Sequence, residues 1–328
     1  MIPLHDTIES RNYPVVNVSI IAANVLVYWW QVGSGSELAQ IIYTYGLVPA
    51  RYSMPAIASY FSLPEQVFSF FSYMFLHGGF WHLLGNMWSL YIFGDNVEDR
   101  LGSVKYLVFY LLCGVASGLF HVAINYHSQV PTIGASGAIA GVMGAYFLLY
   151  PHSRILTLIP IFFLPYFIEI PAFVFLGFWF LFQFFSAAGT VAGGGGIAWW
   201  AHVGGFLFGI LFLKIMEAIP VAGMASWQGP GLARKRSRRL QVVSTTGQPD
   251  SLDVYGRITI TPREARFGTR KLISVPRGLQ KSLLRVTVPP GSRGGTILRL
   301  AGMGKEGADG SRGDLYLKIV ISEQEDAG

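Results

Sequence analysis

Six apolar runs, each separated from the next by a polar or proline-bearing break, fall between residues 15 and 216. Hydrocarbon offers no water to pair a backbone N–H or C=O, so a membrane span must be a helix or part of a closed barrel. Runs of this length and near-continuous apolarity select helices. We place spans at about residues 15–32, 81–94, 105–124, 136–150, 172–185 and 197–216. Trp29 and Trp30 close the first span like an interfacial belt. Pro160, Pro165 and Pro171 argue against one straight helix across residues 155–171. The chain is 13% charged, against about 25% in soluble domains. That deficit lies in the first 230 residues, which hold 6 Lys+Arg and 9 Asp+Glu, while residues 231–328 hold 18 and 9. Such a split predicts two domains in different surroundings. Cys113 is the single cysteine, so no intrachain disulfide forms. The first apolar segment reads as a retained anchor and not as a cleaved signal.

Six spans put both termini on one side. The basic run Arg234 to Arg239 marks that side as cytoplasmic, and Arg11, Arg100, Lys105, Arg154 and Lys214 agree, with Arg51 alone opposite. Spans two, four and six then enter from the outer face. His82, Ser136 and His202 each lie near the start of one of them, at similar depth. Asn86 is one turn below His82 on the same helix face. The long connection at residues 33–80 is aromatic, carries Pro49, Pro55 and Pro64, and is expected to lie at the membrane interface and cap a polar cavity.

Ser136 stands in the small-residue segment Gly134-Ala135-Ser136-Gly137-Ala138-Ile139-Ala140-Gly141. One reading makes this a helix-packing face with an incidental serine, since Gly137 and Gly141 form a G-x-x-x-G pair. The other makes Ser136 a nucleophile, which needs a base. His202 is the available one, because imidazole titrates near neutral pH and the lysines of the bundle, Lys105 and Lys214, sit at inner span ends. No H-E-x-x-H motif or other metal set occurs, no cofactor site is expected, and Asp95 lacks the second acid of an aspartyl pair. An oxyanion could be met by the Ser136 N–H at a helix N-terminus and by the His82 and Asn86 side chains. Against this, His82 could simply bond a neighbouring span and Asn86 could bridge helices. His77, His121 and His127 read as structural or interfacial. Gly205-x-x-x-Gly209 reads as close packing against span four.

The segments FLHGGFWHLLGNMWSLYIFGDNVE, GASGAIAG and AHVGGFLFG, in this order and at these span positions, resemble the rhomboid family of intramembrane serine proteases. The resemblance covers nearly all of residues 1–225. It implies Ser136 as nucleophile, His202 as general base, and His82, Asn86 and the Ser136 backbone as oxyanion stabilisers, with Gly134 and Gly137 shaping the serine turn. It also implies cleavage of transmembrane segments of other membrane proteins, within a lipid bilayer. Two departures stand out. Residues 64–76 lack the Trp-Arg pair of some members, and Ala140 replaces an aromatic residue that packs on the catalytic histidine in others.

Residues 218–251 read as a basic linker at an anionic membrane surface. The segments RITITP, KLISVP, LLRVTVPP, TILRLAG and DLYLKIVIS then alternate apolar and polar residues between Gly and Pro turns, which predicts an antiparallel β module over residues 252–328. Residues 257–322 resemble the C-terminal substrate-binding β domain of DnaJ-type chaperones, without the J-domain or the zinc cysteines. Peptide segments held by strand addition, or self-association, are the partners this implies. No nucleic-acid motif appears. The sequence therefore predicts an all-α polytopic bundle of six transmembrane helices over residues 1–217, followed by a small all-β cytoplasmic domain. The expected setting is a prokaryotic cell membrane. The expected function is Ser–His intramembrane proteolysis, and the alternative is a catalytically silent relative that binds clients through the bundle or the tail.

Overall fold

A computed structural model of the chain describes residues 1–8, 10, 12–161, 164–189, 198–218, 240–242, 251–277, 280–307 and 310–321. The predicted basic run at residues 234–239, most of the linker and nearly all of the glycine-rich loop at residues 189–196 lie outside the described residues. The described residues form two compact units, one helical and one of β-strands.

The helical unit contains nine helices among the described residues: α1 (Val15–Gly33), α2 (Leu38–Tyr45), α3 (Pro55–Ala58), α4 (Leu63–Ser72), α5 (Phe80–Leu101), α6 (Ser103–Ile124), α7 (Ser136–Leu149), α8 (Ala172–Gly189) and α9 (Trp199–Ala218). Four of them, α1, α6, α8 and α9, are long and apolar enough to cross a membrane. The predicted second span is longer than expected, because α5 continues through the charged Asp95–Arg100 segment. That segment is structural. Glu98, 3% exposed, accepts hydrogen bonds from the backbone N–H of Val16 (3.1 Å) and Asn17 (2.7 Å) and from the Ser103 hydroxyl (2.6 Å). These first amides of α1 have no partner within their own helix, and a carboxylate there also meets the positive end of the helix dipole.

The centre of the bundle is α7. Every residue from Gly137 to Tyr146 is buried. At 1.5 Å per residue its 14 residues rise about 21 Å, roughly 9 Å short of a hydrocarbon core of about 30 Å. The expected packing of Gly205 and Gly209 against the fourth span is observed. A Cβ on Gly205 would collide with the Gly137 carbonyl oxygen, and one on Gly209 with the Gly141 carbonyl oxygen. Helices α7 and α9 therefore touch backbone to backbone, as small-residue seams allow.

The connection at residues 33–80, expected as an aromatic loop, is largely helical. A reciprocal cap between Ser62 and Glu65 starts α4. Arg51 is only 1% exposed; its guanidinium lies 3.6 Å above the Phe61 ring centroid and donates to the Thr44 carbonyl at 3.0 Å. Burial pulls the Arg51 pKa below its ordinary value. Gln31 exchanges two hydrogen bonds with the backbone of His77, tying the end of this connection to α1.

The β unit contains two groups of strands. Residues expected as an irregular proline-broken stretch form β2 (Arg154–Ile161) and β3 (Leu164–Pro171), with β1 (Ile2–Asp6) pairing antiparallel to β2. Pro165 and Pro171 lie in the edge strand β3, and Pro160 lies beyond the residues of β2 that pair with β1, positions where a missing N–H is tolerated. In the tail, β4 (Leu240–Val242), β6 (Thr269–Arg277) and β7 (Gln280–Val288) form one sheet, and β5 (Val254–Ile260), β9 (Leu315–Ile321) and β8 (Ile297–Leu300) the other. The module is mixed, not antiparallel throughout: β5 runs parallel to β9 and β4 parallel to β6. Alternation sets which side chains face inward but not strand direction. Val254, Ile258, Ile273, Val275, Val286 and Leu317 are among the residues from both sheets that share one core. Helix α10 (Pro262–Phe267) follows the Thr261 capping box, and its Glu264 makes a buried 2.7 Å ion pair with Lys271.

Candidate active site

The chain enters α7 through Gly134, whose φ of +126° is strained for any residue with a side chain. A Cβ there would also stand 2.8 Å from the His82 ring and 3.6 Å from the Asn86 amide nitrogen. The glycine thus permits both the turn and the approach of α5. Its N–H is held by the Tyr73 carbonyl at 2.9 Å. The first hydrogen bond of α7 runs from the Ile139 N–H to the Ala135 carbonyl at 3.0 Å. Ser136, Gly137 and Ala138 precede that bond, so their N–H groups belong to the unpaired first turn. Gly137 lies within this turn and packs against Ser117 and Gly205.

Helix α9 brings His202 to the same place. Its Nε2 is 2.8 Å from Ser136 Oγ. The ring is nearly buried at 9% exposure, and its Nδ1 lies 2.7 Å from Gln183 Oε1 on α8. Two further contacts hold the ring: Trp179 tilted over it at 6.0 Å and 33°, and Trp199 edge-on at 6.2 Å. An aromatic from α8 thus packs on the histidine although position 140 is alanine. The Ser117 hydroxyl on α6 donates to the Ala201 carbonyl at 2.7 Å, which fixes the backbone beside His202.

His82 and Asn86 stand against Gly134, two residues before Ser136. The Gly78 N–H donates to His82 Nδ1 at 3.3 Å, which leaves Nε2 as the protonated, donating nitrogen beside Gly134. Asn86 is 8% exposed and its amide nitrogen has no hydrogen-bond partner among the described residues. An unpaired buried donor costs roughly 1–3 kcal/mol, so its presence at this spot is a directed feature. The four residues singled out in the sequence therefore converge. His77, His121 and His127 do not join them as bases. His77 stacks edge-on against His82 at 5.1 Å, His121 bonds Thr132 Oγ1 at 2.9 Å, and His127 packs on Tyr126. Sequence reasoning missed Gln183 and Trp179. The signal was present: Gln183 is the one polar side chain between Phe173 and Phe185, and such a residue at membrane depth is rarely idle. Among the described residues no cluster of His, Cys, Asp or Glu could hold a metal ion.

Residues 64–218 match the Rhomboid domain and residues 254–326 the DnaJ C terminal domain. Rhomboid protein 1, mitochondrial, of Saccharomyces cerevisiae is 32% identical over 145 residues, 42% of this chain and 38% of the relative. Presenilin-associated rhomboid-like protein, mitochondrial, of Homo sapiens is 29% identical over 206 residues, 59% and 46% of the two chains. RHOMBOID-like protein 5 of Arabidopsis thaliana is 35% identical over 74 residues, 23% and 24%. The chain spans less than half the length of each of these relatives. Its helical part thus matches a rhomboid domain and its tail a DnaJ C terminal domain, and it is a multi-pass membrane protein. The mitochondrial names of two of these relatives do not fit the prokaryotic cell membrane expected from the sequence.

Proposed function

We propose that the helical part is an intramembrane serine endopeptidase that cuts transmembrane segments of other membrane proteins. The observation that carries this reading is the 2.8 Å contact of Ser136 Oγ with His202 Nε2, with the donors of His82 and Asn86 beside Gly134 at the entry to the same helix. Ser136 Oγ attacks the scissile carbonyl carbon while His202 Nε2 takes the hydroxyl proton. The carbonyl oxygen gains charge and swings towards the Ser136 N–H, the His82 Nε2–H and the unpaired Asn86 amide. Collapse of the tetrahedral adduct breaks the C–N bond, and the leaving amine takes the proton from His202. Water, activated by the same imidazole, releases the acyl group and restores Ser136. A 14-residue α7, shorter than a hydrocarbon core, supports a site within the bilayer, where a substrate helix must first unwind.

The tail supports a second, separate role. Its DnaJ-like sheets expose strand edges, and an extended peptide or a second copy of the chain can add there by backbone pairing. The charge pattern of the sequence supports one side of the membrane for the tail and both termini.

Labelling with a fluorophosphonate tests the catalytic reading. The purified protein should acquire a covalent adduct on Ser136, and both Ser136→Ala and His202→Ala should abolish it. An adduct that forms equally in Ser136→Ala, or none with wild type, counts against the proposal and favours a silent client binder.

A further inference from the structure

A serine–histidine pair works as nucleophile and base only in one tautomer. Nε2 must carry the lone pair that receives the serine proton, so the ring proton must sit on Nδ1. Nothing in the dyad itself enforces this. If the proton sat on Nε2, that nitrogen would donate to Ser136 Oγ and hold the serine as an acceptor. In soluble enzymes a buried aspartate beside Nδ1 settles the matter. Here the group beside Nδ1 is an amide: Gln183 Oε1, 2.7 Å away.

Several features make this contact a built one. Gln183 is 5% exposed and lies four residues after Trp179, so the indole and the amide share one face of α8. The indole covers the ring plane of His202 at 6.0 Å while the amide meets its edge. An amide carries one acceptor and one donor end, and the acceptor end faces the ring. With that end in place, Nδ1–H is the donor and Nε2 the acceptor, which in turn makes the Ser136 hydroxyl the donor to His202. The choice of a neutral group also follows from location. A carboxylate among Phe180, Phe182 and Phe184 would be costly to bury at membrane depth. An amide pins the tautomer without that cost.

We propose that Gln183 is the positioning residue of the Ser136–His202 pair, holding the imidazole in its Nδ1–H tautomer through Gln183 Oε1. The inference rests on the proteolytic reading for its catalytic consequence, but its structural half can be read without any substrate.

The test compares wild type, Gln183→Met and Gln183→Glu in detergent. Met keeps the length and loses the acceptor; Glu restores an acceptor oxygen. Long-range proton–nitrogen NMR of histidine-labelled protein reports which ring nitrogen of His202 carries the proton, the His202 signals being identified by their loss in His202→Ala. Wild type and Gln183→Glu are expected to show the Nδ1–H form, and Gln183→Met a mixture or the Nε2–H form. For cleavage of a transmembrane substrate, Gln183→Met should lower kcat by about 10- to 1,000-fold with KM within about twofold, and Gln183→Glu should recover most of the rate. A residue that merely packs would change KM or the melting temperature and leave the tautomer alone. A wild-type tautomer in a folded Gln183→Met overturns the proposal, whatever its activity. Wild-type cleavage that is indifferent to Ser136→Ala would sink the proteolytic reading instead, and it shows in that control and not in the Gln183 variants.

Discussion

The seam between α7 and α9 makes a sharp prediction, because the same two helices carry Ser136 and His202. Gly205 is three residues past His202, and a Cβ placed on it would overlap the carbonyl oxygen of Gly137, the residue after Ser136. The obstacle is backbone, so no rotamer change relieves it. Restoring van der Waals distance requires the helices to separate by about 1 Å. A displacement of about that size between reacting groups costs roughly 100-fold in rate, and overpacking of this kind costs about 1–3 kcal/mol of stability. Gly205→Ala should therefore label with a fluorophosphonate roughly 100-fold more slowly and melt at a lower temperature. Gly177→Ala on α8 is the matched control: the nearest atom to its Cβ is 4.0 Å away. Replacing a helical glycine in open space stabilises by about 0.5–1 kcal/mol. Wild-type labelling by Gly205→Ala, with an unchanged melting temperature, would refute the backbone-contact argument.

Asn86→Ala should lower kcat about 100- to 1,000-fold with little change in KM, and because its buried amide nitrogen is unpaired the variant should melt no lower than wild type. In the tail, Lys271→Met removes the cation paired with the buried Glu264 and should cost about 3–5 kcal/mol, whereas Lys271→Met with Glu264→Leu should recover most of it; thermal melts of the three proteins decide this. Asp314 is held below its ordinary pKa by the Gly302 N–H and then by the Arg299 side chain. Its contribution is present above the unfolded-state pKa and is lost as pH falls through the lower folded value, so Asp314→Asn should flatten the acid limb of the tail's melting profile, and an unchanged limb would remove Asp314 from the account.

Ser136, His202, His82 and Asn86 were legible because a membrane restricts the geometry. Once spans and sidedness are assigned, sequence position converts to depth, and polar residues at one depth are forced to meet. Gln183 and Trp179 escaped because depth alone does not say which face of α8 turns inward; in a run of phenylalanines no polar stripe marks it. Arg51 escaped for a related reason. The sequence marks it only as the one basic residue on the outer side, yet it is buried against Phe61, where stacking and one carbonyl replace water. The strands β1, β2 and β3 were hidden by prolines that exclude a helix but do not announce a sheet. The parallel pairing of β5 with β9 brings together segments about sixty residues apart, a contact that no local pattern encodes.

The central claim is that Ser136 and His202 together cut peptide bonds in the membrane. The most direct measurement is cleavage of a single-span membrane protein by purified full-length chain in liposomes, with Ser136→Ala and His202→Ala beside wild type. The account predicts products from wild type alone, with the cut inside or at the edge of the substrate's transmembrane segment. Cleavage that persists in Ser136→Ala, or a wild type that binds such substrates without cutting them, would contradict it.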